Sequence, residues 1–210
     1  MKNYLFIFFF LSQVFGQYDQ VFVGTRPLSM GGAFSAVADD ANAIVWNPAG
    51  LPGLRRTEFT STFADLYNLG INQSYIGFVR PFSDRIAMGF DWSNIGFDDK
   101  ELGYSENKLN FSIGIQPHKM FSIGINVKYL MRDMLLNETS YGKSNGIGKD
   151  LGVMIKPSKN VKMGLGIYDI GGTSVSYKDR TEETILGQAF RLGISYMPIN
   201  GLTLAADYSD

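Results

Sequence analysis

Apolar and polar residues alternate along most of the chain after about residue 57. The clearest example is 121–132, where apolar side chains occupy every odd position and mostly polar residues or glycine occupy the even ones. Such a period of two predicts a β-strand, because the side chains of a strand point alternately to opposite faces. Nine segments carry the pattern: 57–65, 72–81, 86–93, 109–116, 121–132, 149–157, 161–167, 190–196 and 201–208.

The connections between these segments alternate between short and long. Short turns are predicted at 82–84, 117–119, 157–160 and 198–201, and long polar connections at 66–71, 95–106, 133–147 and 170–187. Tight turns at one end of an antiparallel meander and long loops at the other are typical of outer-membrane barrels. The predicted fold class is therefore all-β, an antiparallel up-and-down transmembrane β-barrel over residues 57–210.

A soluble barrel or sandwich would produce the same alternation. Predicted strands of about ten residues match a tilted membrane span, and aromatic residues near their ends match interfacial girdles. The polar face is rich in Gly and Ser and poor in the Lys and Glu mixture that keeps a soluble surface dispersed. These features favour the membrane barrel, and recovery of the chain without detergent would favour the soluble alternative.

Residues 1–16 have the pattern of a secretory signal peptide. Lys2 supplies a positive charge, residues 4–11 form a short apolar core, and Gly16 precedes a polar stretch. Cleavage is expected after Gly16, and the apolar core is too short to span a bilayer as a helix. The expected localisation is the cell outer membrane.

Residues 17–56 lack the strand pattern and are predicted to form a hatch, a plug inside the barrel lumen. Asp39 or Asp40 is suited to cap a short helix over 41–44, and Pro48 predicts that this helix ends just before it. The segment is too short for a domain of its own but has the size of a plug.

Glycines punctuate the same segment. Gly31 and Gly32 are expected to permit tight backbone packing, and Gly50 is expected to adopt a left-handed turn before the first strand.

The hatch contains three short motifs. The first is Met30-Gly31-Gly32, the second contains Asp39, Asp40 and Asn42, and the third contains Trp46, Asn47, Pro48 and Gly50. In order and spacing they resemble the N-terminal motifs of PorV/PorQ-type outer-membrane proteins, within the wider FadL/TodX superfamily. The resemblance implies a barrel of about 14 strands with an N-terminal hatch. Nine predicted strands, the last stopping in mid-pattern at Asp210, would then be a fragment of such a barrel.

The resemblance implies one of two functions. PorV-type proteins act with type IX secretion, so the first expectation is a secretion-associated barrel in outer-membrane lipid that binds secreted cargo proteins or other secretion-system components. The alternative is a FadL-like channel for the uptake of hydrophobic small molecules. The Met-Gly-Gly opening and Trp46 favour the first.

The composition argues against catalysis and against nucleic-acid binding. His118 is the single histidine and cysteine is absent, so the residues for a zinc site or a nucleophile–histidine pair are missing. A formal net charge of −1 offers no basic surface for nucleic acid. No enzyme activity, cofactor or metal is therefore expected.

Polar residues opposite the apolar positions are candidates for lining the lumen. They either line a path or hold the hatch through hydrogen bonds and ion pairs, or they only fill a wet interior. For any one of them alone, the second interpretation is the simpler. These residues are Asp91, Asn110, Gln116, Asn126, Lys128, Arg132, Lys162 and Arg191.

Overall fold

The computed structural model describes residues 23–66, 68–98, 102–136, 139–177 and 183–210. The predicted signal peptide at 1–16 and the first residues of the predicted hatch, 17–22, lie outside the described residues. Within those ranges, no helix has the length and apolarity needed to cross a bilayer.

The described chain begins with three short helical elements and continues as strands. The helices are α1 (Thr25–Ser29), α2 (Ala43–Trp46) and a 3-10 helix (Pro48–Gly53). The strands are β1 (Glu58–Leu66), β2 (Ile71–Ser83), β3 (Ile86–Asp98), β4 (Leu102–His118), β5 (Phe121–Leu136), β6 (Thr139–Ile155), β7 (Val161–Tyr168), β8 (Thr173–Tyr177), β9 (Glu183–Leu186), β10 (Ala189–Ile199) and β11 (Leu202–Ser209).

All the described strands belong to one antiparallel sheet. Its main path runs in the order β1-β2-β3-β4-β5-β6-β7-β10-β11, while β8 pairs with β6 and β9. The main path has nine strands. In the sequence, β8 and β9 lie between β7 and β10; residues 169–172 separate β7 from β8, and residues 187–188 separate β9 from β10. The all-β antiparallel prediction is confirmed, and among the described residues the sheet is open between β1 and β11.

The two faces of the sheet differ in character. The inner face, defined as the one that packs against residues 23–54, carries buried polar side chains such as Asn126 and Lys128, which are 1% and 7% exposed. The outer face carries the alternate apolar residues, such as Ile125 and Val127, which are 47% and 48% exposed. Because soluble proteins rarely expose contiguous apolar surface on this scale, the outer face is suited to a hydrocarbon environment.

Two of the predicted long connections are mostly strand, and a third, 170–187, contains β8 and β9. β3 runs to Asp98 before β4 begins at Leu102, and only 137–138 separate β5 from β6, so the expected loops at 95–106 and 133–147 were wrong in extent. β4 and β6 each contain 17 residues, against about 9–11 for a tilted span. The apolar alternation stops here because polar residues such as Ser105, Asp133 and Lys143 take outer-face positions, although the backbone pairing continues.

The main hydrophobic core lies between the N-terminal segment and the inner face. Phe34, Ile44 and Trp46 are fully buried, and the rings of Phe34 and Trp46 meet edge to face with centroids 6.1 Å apart. Val79 and Met154 contribute to the same cluster from the sheet. The sheet therefore contributes mostly polar groups to the inside, and the segment brings most of the apolar ones.

The helix in this segment begins later than expected. The side chain of Asp40 accepts hydrogen bonds from the backbone N and from Nδ2 of Asn42, at 2.8 and 2.9 Å. Asp40 thus stabilises the turn that leads into α2, and α2 itself has no side-chain cap. As predicted from Pro48, α2 ends before it, and Asn47 Oδ1 caps the following 3-10 helix by accepting from Ala49 N at 3.1 Å.

The roles expected of the three glycines are exchanged. Gly31 and Gly32 have φ of 66° and 80°, so they supply the left-handed backbone that other residues avoid. Gly50 is not left-handed; a Cβ there would overlap the carbonyl oxygen of Ala38. Gly50 is therefore needed for close packing within the segment.

Candidate functional site

Side chains of the inner face hold the backbone of the N-terminal segment. Asn126 Nδ2 donates to the carbonyl oxygen of Ile44 at 2.8 Å, and the Tyr168 hydroxyl donates to that of Trp46 at 2.6 Å. Further bonds of this kind join Ser122 to Ala49, Ser195 to Ala36, Lys162 to Val37, and Asp207 to Phe34 and Ser35. In the reverse direction, Asn47 Nδ2 of the segment donates to the carbonyl oxygen of Val153 in the sheet at 3.2 Å. Most of these bonds satisfy backbone groups that burial would otherwise leave unpaired.

Inner-face glycines let that backbone approach the sheet. A Cβ at Gly124 would overlap the Pro48 carbonyl carbon, and one at Gly164 would overlap the Ser35 carbonyl. Glycine inside a strand often marks the close approach of another backbone. In the sequence these glycines stand out only as part of the polar face, and the signal that marks the close approach is their alignment across strands. Gly124 pairs with Gly114 on one side and Gly152 on the other.

A buried ion cluster lies where β7 is interrupted. Lys128 Nζ is 2.7 Å from Asp150 Oδ1 and 2.9 Å from Asp169 Oδ1. Asp169 has φ of 50°, and Thr173 Oγ1 donates to its carboxylate at 2.6 Å. The cluster joins β5, β6 and the interruption between β7 and β8, so it fixes the chain at the point where the backbone ladder is broken.

A second polar group occupies the neighbouring part of the inner face. Asp91 is fully buried and accepts two hydrogen bonds from Asn110 Nδ2, each 2.9 Å long. In the part of the chain that the structure describes, Asn110 Oδ1 and the Tyr75 hydroxyl are buried without a hydrogen-bond partner. Asp91 and Asn110, both candidates from the sequence, are therefore direct neighbours.

The two candidate arginines also lie on the inner face but have different partners. Arg132 Nε is 2.6 Å from Glu106 Oε2. The Arg191 guanidinium lies 4.6 Å from the ring centroid of Trp46 and 5.5 Å from that of Tyr168, a cation–π geometry. Arg191 thus packs on the hatch motif, whereas Arg132 lies in an ion pair within the sheet.

The motif residues of the N-terminal segment form a network that includes Arg26, which sequence reasoning missed. Arg26 Nη1 is 2.5 Å from Asp39 Oδ1 and 2.9 Å from Asp40 Oδ2, and its guanidinium lies 5.2 Å from the Phe34 ring centroid. Partial burial lowers the pKa of Arg26, but hydrogen bonds to the two carboxylates outweigh it and leave the pKa raised. Trp46 Nε1 donates to Val23 O at 2.9 Å.

Two of the cavities among the described residues differ greatly in size. One of about 20 Å³ lies between the segment and the inner face, beside Val23, Val45 and Gln73; it is far below the roughly 300–1,000 Å³ of small-molecule sites. The other, about 320 Å³, is a groove near the hairpin between β3 and β4. In the described ranges, no group of three metal-ligating side chains occurs.

Solved channel structures share this fold. The CymD monoaromatic hydrocarbon channel aligns with a TM-score of 0.72 and 14% identity over 92% of this chain and 69% of that chain. A Pseudomonas aeruginosa FadL homologue aligns with a TM-score of 0.60 and 12% identity over 84% of this chain and 65% of that chain.

Comparison of the sequence with known proteins identifies no family for this chain. No protein-family profile matches the chain, and no curated protein matches it. The chain spans about two thirds of the length of the two channels, 69% and 65%, and identities this low show the fold alone. The chain therefore has the fold of FadL-like channels, and the PorV/PorQ resemblance finds no support in these structures.

Proposed function

We propose that the protein is an outer-membrane channel for small apolar molecules, of the FadL-like kind. The observation that carries the proposal is the likeness to the CymD monoaromatic hydrocarbon channel, which extends over 92% of the chain. The alternative inferred from the sequence thus becomes the first candidate, and catalysis has no part in it.

The outer face supports a position in the membrane. Its exposed large apolar side chains recur on neighbouring strands, for example Phe90, Phe111 and Val127, which are 48%, 52% and 48% exposed. Burying such a face in lipid is favourable by roughly 25 cal/mol per Å² of apolar surface removed from water. The charged inner-face groups would be shielded from lipid by the sheet.

Residues 23–54 are the proposed hatch, with the polar inner face around them. The segment is bonded to the sheet at many points, and the cavity beside it is only about 20 Å³. A hydrocarbon that passes between the segment and the sheet must therefore displace part of the segment. Asn126 and Arg191 would act by holding the hatch, and Asp91, Asn110 and Lys128 by ordering the sheet face against which it packs.

Uptake measured in cells tests the channel. Cells without other hydrocarbon channels would express the full-length protein, and uptake of a labelled monoaromatic hydrocarbon is expected to rise above that of the empty vector. Because the chain has no cysteine, the pair Ala49→Cys and Ser122→Cys could be joined by a short thiol crosslinker. Crosslinking is expected to reduce uptake, while the single-cysteine variants should retain it.

Uptake equal to the empty vector, with the protein present in the outer membrane, would overturn the channel. Undiminished uptake after complete crosslinking would contradict the proposed movement of the hatch, but it would not contradict the channel function.

The second candidate is a PorV-type role in protein secretion. It is favoured by the motif residues Met30, Gly31, Gly32 and Asp39, of which Asp39 lies at the surface of the segment in its pair with Arg26. This role predicts that exported proteins co-purify with the full-length protein and that hydrocarbon uptake is unchanged by its loss. Hydrocarbon uptake without cargo co-purification would favour the channel.

A further inference from the structure

The apolar outer face extends to the short turns that join β2 to β3, β4 to β5 and β6 to β7. Ile86 pairs with Ile115, and Phe121 pairs with Ile155. These four outer-face side chains are 36% to 43% exposed, and each lies within a few residues of one of the turns. With the apolar face in hydrocarbon, the turns lie where the hydrocarbon meets the lipid headgroups. We call this edge of the apolar face the short-turn border.

Each of the three turns carries an exposed cation at this border. They are Arg85, Lys119 and Lys159. Asp84 is the acidic residue of the same described turns, and it lies 3.6 Å from Arg55. Within the described ranges, no acidic side chain pairs with any of the three turn cations. The turns therefore carry uncompensated positive charge.

A fourth cation reaches the same border from the outer face of β2. Arg80 pairs with Met88 and alternates with the buried Val79, so its side chain points outward. Its guanidinium lies 5.5 Å from the ring centroid of Phe82, which is 60% exposed and two positions nearer to the turn. The apolar stem thus follows the outer face while the charged group reaches toward the headgroup level, as long cationic side chains do at an interface. Arg80 and the three turn cations are together called the border cations.

Two lysines near the same turns do not belong to this set. Lys156 Nζ is 4.0 Å from the position that a Cβ on Gly53 would take. Lys162 Nζ donates to the carbonyl oxygen of Val37 at 3.5 Å. Both side chains face the N-terminal segment and are separated from lipid by the sheet.

The opposite border of the apolar face carries no such excess of charge. Beyond the row formed by Trp92, Leu109 and Tyr129, the outer-face positions of β3 to β6 hold amides, small residues and one methionine. The charged residues in the first two rows there, Asp133 and Lys143, pair with each other at 3.3 Å. The residues of these two rows are Asn94, Asn107, Met131 and Asn145, then Gly96, Ser105, Asp133 and Lys143. Uncompensated cations are therefore specific to the short-turn border.

The border cations suit the phosphate groups of lipids. Neighbouring turns are two strands apart, which is about 10 Å, so each cation meets the phosphate of a different lipid. Arginine binds phosphate through two parallel hydrogen bonds and lysine binds it as a point charge. An anionic phospholipid also lays its acyl chains against the adjoining apolar face, whereas a free phosphate ion gains nothing from that face.

We propose that the border cations bind the phosphate groups of anionic phospholipids along the short-turn border. The inference rests on the membrane position in the proposed function and is independent of hydrocarbon transport. It makes the protein selective for anionic over zwitterionic lipid at one border of its apolar face.

Lipid binding by the purified full-length protein in a nonionic detergent tests this proposal. The probes are phosphatidylglycerol, which is anionic, and phosphatidylcholine, which is zwitterionic, with inorganic phosphate as a competitor at constant ionic strength. The triple variant Arg85→Gln, Lys119→Gln, Lys159→Gln removes the charges of the three turns. Its matched control is Arg85→Lys, Lys119→Arg, Lys159→Arg, which keeps every charge. Because these side chains are exposed, both variants are expected to melt at the temperature of the wild type.

The wild type is expected to bind phosphatidylglycerol about tenfold more tightly than phosphatidylcholine, and high salt should weaken this preference. The glutamine variant should bind the two lipids equally, and the charge-conserving variant should keep the preference.

Three results would each overturn the proposal: equal binding of both lipids by the wild type, an unchanged preference in the glutamine variant, or displacement of phosphatidylglycerol by inorganic phosphate. Hydrocarbon uptake is measured separately. Absence of uptake by a wild type that prefers phosphatidylglycerol would contradict the channel and not the lipid contact.

Discussion

Asn126 on β5 donates a hydrogen bond from Nδ2 to the carbonyl oxygen of Ile44 in α2, with 2.8 Å between the two atoms. The same amide accepts from Ser112 Oγ at 2.6 Å and donates to Asp150 Oδ2 at 3.2 Å. One buried side chain therefore couples the N-terminal segment to the polar layer of the inner face. A substitution that destabilises the N-terminal segment should therefore also destabilise the polar layer, and the reverse.

Replacing Asn126 by alanine tests this coupling. The change leaves buried partners without hydrogen bonds, so we expect the free energy of unfolding to fall by about 1–3 kcal/mol. Denaturant unfolding of the purified protein in detergent would measure it. Asn145→Ala, at an exposed outer-face position, is the control and should change little; equal stability of both variants would contradict the coupling.

The close approach at Gly124 leads to a second prediction. In Gly124→Ala the new Cβ would overlap the backbone of Pro48 and Ala49, and overpacking of this kind costs about 1–3 kcal/mol. We expect a lower melting temperature and faster proteolysis within residues 23–54. Gly187→Ala, where a Cβ meets nothing within 4 Å, is the control, and a Gly124 variant as stable as this control would count against the packing.

The buried cation Lys128 leads to a third prediction. Lys128→Met leaves the carboxylates of Asp150 and Asp169 without their cation, and breaking a buried pair in this way costs about 3–5 kcal/mol. Thermal unfolding would measure the loss, and adding Asp150→Asn and Asp169→Asn should recover part of it. Arg55→Met removes the exposed pair with Asp84 and should have no measurable effect.

If Lys128→Met unfolds at the same temperature as the wild type, the ion cluster does not stabilise the interruption between β7 and β8.

Asp207 on β11 leads to a fourth prediction. Its Oδ2 accepts from the backbone N of Phe34 at 3.2 Å and of Ser35 at 2.9 Å, and bonds to a charged acceptor are stronger than neutral ones. In Asp207→Asn we expect faster amide hydrogen exchange at these two residues. Asp84→Asn, a change at an exposed carboxylate, is the control; unchanged exchange in Asp207→Asn would mean that the bonds contribute little.

The strands could be predicted from the sequence because one face of each is apolar. In 121–132 the period of two marks β5 directly. The pattern ends where polar residues such as Ser105, Asp133 and Lys143 take outer-face positions, so the outer parts of β3 to β6 were expected to be loops although their backbones pair. Helix α2 was placed only approximately, because Asp40 bonds to Asn42 and not to the helix itself.

The candidate site was less accessible to sequence reasoning. Lys128 was a candidate for its position on the polar face. Its partners are Asp150 in β6 and Asp169 in the interruption after β7, and only the tertiary structure brings them to it. Arg26 was missed because it precedes the motifs, and its role depends on folding back onto Asp39.

The sequence by itself determined the apolar parts of the nine main-path strands, their antiparallel order and the choice of face, because alternation in polarity can be read along a single strand without knowing its partners. The tertiary structure decided what the polar face does. Gly124 shows no role in the sequence, yet its lack of a Cβ lets the backbone of Pro48 pack against the sheet. Asn126, two residues later, bonds to Ile44. Contacts between residues about 80 positions apart depend on strand register and on where the N-terminal segment lies, and local pattern specifies neither.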